Sequence, residues 1–145
     1  MQPFPHFYTV TASGTATGTV PIAAADLPTL VTAAPREFDG PGDQWSPESM
    51  LCAAVASCFI LTFRAVAKAS KLEWSQLACE VVGTLERVEN ETRFTKFVTQ
   101  VALTIPKQVD EARFRLALEK AEHGCLVTNS LRAVRELEVD ITVIR

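Results

Sequence analysis

The spacing of apolar residues changes character along the chain, and each change predicts an element. Phe7 to Ala12 and Thr15 to Ile22 are rich in Thr, Val and aromatic residues, with Ser13-Gly14 between them, and read as a β-hairpin. Leu27 to Ala33 reads as a third strand ended by Pro35. The stretch Pro35 to Trp45 (PREFDGPGDQW) carries the Gly-Pro-Gly punctuation of an exposed loop. A long helix follows, with Ser46 as N-cap, Pro47 at the first helical position, Glu48 in the first turn and an apolar run to Ser70. No charge occurs from Met50 to Phe63, so this helix is apolar around its whole circumference and needs a sheet, a second helix or another subunit to cover it. That uncharged run is shorter than the roughly 20 residues a bilayer span requires.

Beyond it, Cys79 to Val88 and Thr92 to Ile105 form two alternating stretches joined at Glu89-Asn90-Glu91, a second hairpin. Phe94, Val98, Leu103 and Ile105 are its expected core positions, and a slip of parity midway predicts a bulge. Asp110 to Glu122 reads as a helix with Phe114, Ala117, Leu118 and Ala121 at i, i+3, i+4 and i+7, ended by Gly124. Cys125 to Arg132 forms a short helix and Leu137 to Ile144 alternates as a last strand. The sum is an α+β domain spanning residues 1–145, with no internal repeat and no low-complexity tract.

Composition narrows the function. At 145 residues, 48% hydrophobic and 21% charged, the chain has the size and balance of one globular domain. A net charge of -3 leaves no surplus of Lys and Arg for nucleic acid or an anionic membrane surface. The start, MQPFPHFYTV, has no basic segment followed by an apolar stretch, so no export signal is expected and a cytoplasmic location is. Four cysteines are too few for a disulfide-stapled scaffold, and no pair has C-x-x-C spacing. In a reducing compartment a functional cysteine is catalytic or redox-active rather than structural. The chain has no P-loop, no G-x-G-x-x-G and no G-x-S-x-G, and His123-x-Cys125 alone does not make a metal site. Neither a cofactor nor a metal is therefore expected.

The chemically interesting residues each have an ordinary reading. Cys58, in ASCFILTF on the apolar helix, resembles a small core residue, as do Cys52 and Cys79. Cys125 follows Gly124 at a helix end, where a thiol is expected to be partly exposed. Glu48 suits the positive end of a helix dipole, and Arg36 suits a solvated loop.

The segment PREFDGPGDQWSPESMLCAAVASCF, followed some sixty residues on by EKAEHGCLVTNSL, resembles the OsmC/Ohr family of cysteine-based organic hydroperoxide reductases. The specific part is the pair of cysteine motifs, S-P-E-x-x-L before A-x-C-F and then a second cysteine at a helix end. The resemblance implies an OsmC-like fold, with antiparallel sheets around a long buried central helix in an intertwined homodimer. It also implies a two-cysteine peroxidase with Cys58 as the peroxidatic and Cys125 as the resolving cysteine. It matches Glu48 to the family's glutamate and Arg36 to its arginine, as in the OsmC branch. The Ohr branch carries its arginine in a Gly-Gly-Arg stretch of the N-terminal hairpin, where this chain has GTATG.

Physical arguments bear on the same residues. Cys58 lies about three turns inside its helix, beyond the reach of the dipole, which assigns its activation to a guanidinium oriented by a carboxylate such as Glu48. Glu48 and Cys58 are ten residues apart, about 15 Å along a straight helix, so one site using both would take Glu48 from a second subunit. The expected cycle runs from a Cys58 sulfenic acid to a Cys58–Cys125 disulfide reduced by a small or protein dithiol. Phe59 and Phe38 are expected to favour organic hydroperoxides over hydrogen peroxide. Two rival readings are an acyl- or thiol-transfer enzyme using Cys125 with His123, and a non-catalytic small-molecule-binding or redox-sensing dimer.

Overall fold

The computed structural model describes residues 1–106 and 110–144. They form two compact units, Met1–Met50 and Leu51–Arg145. The first contains a three-stranded antiparallel sheet of β1 (Thr11–Ala12), β2 (Val20–Ala23) and β3 (Leu30–Thr32) in that order. The strands are shorter than the sequence predicts because almost none of their side chains is buried, and a ladder without an apolar face is marginal. Thr32 is the anchor. Its hydroxyl donates to the Val20 carbonyl at 2.7 Å, and it bridges Trp45 at the far end of the predicted loop. Within that loop one 3₁₀ turn forms over Arg36–Phe38.

Helix α1 spans Pro47–Ala69. Ser46 and Ser49 form a reciprocal cap, the Ser49 N–H donating to Ser46 Oγ at 3.1 Å and the Ser46 N–H to Ser49 Oγ at 2.9 Å. The buried positions, Val55, Phe59, Phe63 and Ala67, recur every four residues and make a single stripe. Much of the remaining apolar surface is uncovered in the single chain, with Leu61 56% exposed. At 23 residues α1 also exceeds its uncharged run, so by length and composition alone it is long enough to cross a membrane.

The second unit is built on β4 (Gln76–Val88), β5 (Glu91–Ile105) and β6 (Val134–Val143). β4 and β5 form the antiparallel hairpin, and β6 pairs in parallel with β5, as in Val101 opposite Val139. A parallel neighbour demands a crossover. It is supplied by α2 (Glu111–His123), capped by the Asp110 side chain at 2.9 Å from the Ala112 N–H, and by the one-turn α3 (Leu126–Asn129). The predicted bulge is present: Thr84 pairs with Lys96 but Leu85 with Phe94, so Thr95 is the extra residue. Beyond it the buried series is Phe97, Thr99, Val101, Leu103 and Ile105. Val98 is thus corrected from core to the opposite face, because the bulge shifts the parity. Leu103 and Ile105 join Phe59, Phe63, Phe114, Ala117, Leu118 and Ala121 in the main core, the four α2 residues as their spacing predicts. Phe63 meets Trp74 edge-on, with ring centroids 5.3 Å apart.

Candidate functional site

The stripe that buries Phe59 and Phe63 leaves Cys58 and Thr62, one turn apart, on an adjoining face of α1, with Cys58 Sγ 3.9 Å from Thr62 Oγ1. The junction of α2 and α3 comes against this face. A Cβ added to Gly124 would lie 3.2 Å from Thr62 Cγ2 and 3.2 Å from the Lys120 oxygen, so the missing side chain permits the close approach. Cys125 follows as the N-cap of α3, with extended backbone. Its carbonyl accepts from the Asn129 N–H at 2.9 Å and the Thr128 hydroxyl at 3.3 Å. Cys125 is only 2% exposed, which corrects the expectation of a partly exposed thiol: the helix end turns inward onto α1.

The first N–H groups of a helix have no partner within it. Burial pushes the Cys58 thiol up, but hydrogen bonds from the Val127 N–H, the Cys125 and Thr62 side chains and the Leu126 N–H together outweigh it and hold the thiol below the ordinary cysteine value. The thiolate is therefore favoured closer to neutral pH. The other cysteines behave differently. Burial, with a further contribution from Cys125, pushes Cys79 on β4 up to about 11. Burial also raises Cys52, offset in part by the backbone of Gly83. Both remain thiols at neutral pH, and all four cysteines are free.

Cys58 and Cys125 are thus brought together within the second unit. Glu48 stands ten residues before Cys58 on the unbroken α1, about 15 Å away along the axis. Its Oε2 is shielded from solvent with no hydrogen-bond partner among the described residues. Arg36 is exposed in the first unit, where its side chain lies across Gly42, whose φ of +77° and lack of Cβ leave room for it. Among the described residues it makes no ion pair. Phe59 belongs to the core, which removes it from the apolar residues expected to face a substrate, whereas Phe38 is exposed. The sequence did show Thr62 one turn beyond Cys58 and Gly124 before Cys125, but not that α3 turns its first N–H groups onto α1. The contribution of Leu126 and Val127 was missed for that reason.

An α+β chain with a stabilised thiolate and a second buried thiol beside it defines a class of thiol-bearing proteins. The chain belongs to the OsmC-like protein family, whose model matches residues 40–140. It is 28% identical over 112 residues to the uncharacterized protein YmaD of Bacillus subtilis (strain 168), covering 75% of each. Its fold is similar to that of an OsmC-like protein of unknown function from Vibrio cholerae, with a TM-score of 0.81 at 15% identity over 97% of this chain and 100% of that one. It is also similar to that of an organic hydroperoxide resistance protein, OsmC, from Legionella pneumophila, with a TM-score of 0.69 at 23% identity over 97% of this chain and 100% of the other.

Proposed function

We propose that this protein is a thiol-dependent peroxidase that reduces organic hydroperoxides to alcohols. The observation that carries the reading is the Cys58 sulfur, held below the ordinary cysteine pKa by the Val127 and Leu126 N–H groups with the Cys125 side chain beside it. Family membership and the Legionella hydroperoxide resistance protein, similar in fold, supply the substrate class.

The steps follow the oxidation ladder. The Cys58 thiolate attacks the terminal oxygen of ROOH and breaks the O–O bond. The departing alkoxide takes a proton and leaves as ROH, with Cys58 oxidised to the sulfenic acid. The Cys125 thiol then attacks that sulfur, water leaves, and a Cys58–Cys125 disulfide forms. Thiol–disulfide exchange with an external dithiol returns both thiols and oxidises the dithiol. Cys125 needs no long journey, because it already caps the helix that faces Cys58. Its burial argues against the acyl-transfer reading, which needs Cys125 as an accessible nucleophile.

Glu48 and Arg36 complete the proposed site as the carboxylate–guanidinium pair that holds the peroxide. The isolated Glu48 oxygen and the helical separation from Cys58 support a site assembled from two chains. So does the uncovered apolar surface of α1, together with exposed Phe4, Phe7 and Tyr8 near the N-terminus. The proposed protein is a homodimer acting in the cytoplasm, where free thiols persist.

The test is turnover of an alkyl hydroperoxide with a small dithiol. The wild type turns over, Cys58→Ser is inactive, and Glu48→Gln and Arg36→Met lose at least about tenfold in kcat/KM, a loss typical of one displaced charged contact. Unchanged turnover in Cys58→Ser, or equal efficiency with hydrogen peroxide, contradicts the proposal.

A further inference from the structure

The α2–α3 junction is held by one guanidinium that the site described above does not use. Arg135 lies on β6, opposite Phe97 of β5. Its Nε donates to Glu122 Oε1 at 2.6 Å, its Nη2 to the Glu122 main-chain oxygen, and its Nη1 to Asn129 Oδ1 at 2.6 Å. Asn129 in turn donates from Nδ2 to the His123 carbonyl at 3.1 Å. The same Glu122 carbonyl also accepts the Cys125 N–H at 3.3 Å. The last turn of α2 and the last residue of α3 are therefore bound to a single planar fork, and the segment between them contains Cys125, Leu126 and Val127.

The surroundings separate this contact from ordinary surface pairing. The Arg135 and Glu122 side chains are 24% and 16% exposed, against 69% and 55% for Arg132 and Glu91. Exposed pairs of the second kind contribute little. A shielded, multidentate arginine fixes geometry, because the rigid fork aims its donors in set directions. A lysine would reach Glu122 but not Asn129 at the same time.

We propose that Arg135 is a positioning residue for the Cys58–Cys125 pair, locking the α2–α3 junction in the arrangement that directs the Leu126 and Val127 N–H groups at the Cys58 sulfur. Its purpose rests on the thiol reading above, but its geometry does not. Arg135 does not touch the sulfur. It acts through the backbone it holds.

The test uses no peroxide. Site-resolved alkylation of Cys58 by iodoacetamide is followed across pH in the reduced full-length protein. The expected result for Arg135→Gln is an upward shift in the midpoint, with alkylation at neutral pH slowed about tenfold, one unit of lost thiolate. Asn129→Ala, at an exposed position, shifts in the same direction by a smaller amount, and Arg135→Lys falls between the wild type and Arg135→Gln. Arg132→Gln, three residues away, keeps the wild-type profile. A folded Arg135→Gln with the wild-type profile overturns the proposal, as does an equal shift in Arg132→Gln. If Arg135→Gln does not fold, Asn129→Ala decides, and an unmoved midpoint overturns the proposal. A midpoint that moves with Arg135 in a protein inert to hydroperoxide refutes the peroxidase reading alone.

Discussion

The Val127 N–H faces the Cys58 sulfur, so a thiol in the middle of a 23-residue helix is stabilised as thiolate by the start of a four-residue one. Backbone donors thus act on Cys58 in addition to the guanidinium that the sequence leads one to expect. The dipole of α1 is too far away, but α3 begins beside the sulfur, and the first N–H groups of a helix have no partner within it. In the proposed cycle activation and resolution are thereby joined, since the residue at the N-cap position of α3 is the second thiol.

One variant isolates a single donor. Cys125 already has the extended backbone that precedes a proline, with φ -67° and ψ 108°, and Leu126 is the first helical position, where proline is tolerated. Leu126→Pro therefore removes one N–H facing Cys58 with little strain. The expected outcome is a folded protein whose Cys58 alkylation midpoint rises by a fraction of a unit. A lower or unchanged midpoint would show that this N–H does not serve the sulfur.

Cys79 gives alkaline stability a definite sign. Folded, it keeps its proton to about pH 11. Unfolded, it loses it near the usual value of about 8.5. Between these the unfolded chain binds fewer protons, so the contribution of Cys79 is whole below the lower value and is lost as pH rises through the higher. Cys58, lowered in the fold, acts oppositely, its contribution growing from its folded value and complete above the unfolded one. Melting of the reduced wild type should thus fall more between about pH 8 and pH 10 than melting of Cys79→Ala. Parallel slopes would remove Cys79 as the cause.

The bulge at Thr95 sets the face that each β5 residue presents. Phe97 is fully buried and stacks on Phe94 with centroids 5.1 Å apart, while Val98 points to the other side. Phe97→Ala should cost about 3–5 kcal/mol in urea unfolding, the range for an emptied core aromatic. Val98→Thr should stay within about 0.5 kcal/mol of wild type. Equal costs would contradict the register.

Much of this was legible in the sequence because local rules governed it. Ser46, Pro47 and Glu48 marked the start of α1, and four apolar positions in α2 matched its core face one for one. The parity slip shows that a bulge exists but not where, so the alternation points to Val98 as a core position where the structure buries Phe97. The first hairpin was over-extended because β propensity takes no account of whether a strand has anything to cover. At the site the two cysteine motifs were visible. The burial of Cys125 and the donors on α3 were not, since both depend on how segments more than sixty residues apart meet, and the clamp by Arg135 was not, since it depends on how β6 returns past the end of α2.

The uncovered side of α1 leads to a prediction about assembly. Light scattering should give the mass of two chains, and Leu61→Glu, which places a charge at an exposed apolar position of α1, should shift the population toward one chain. A wild type of one-chain mass at micromolar concentration would contradict the proposed dimer.

The most direct test of the central claim is the intact mass of the reduced protein before and after one equivalent of an organic hydroperoxide, with Cys125→Ser alongside. The predicted result is loss of two hydrogens in the wild type through a Cys58–Cys125 disulfide, and gain of one oxygen at Cys58 in the variant. An unchanged mass in both would contradict it, leaving a stabilised thiolate that does not reduce hydroperoxides.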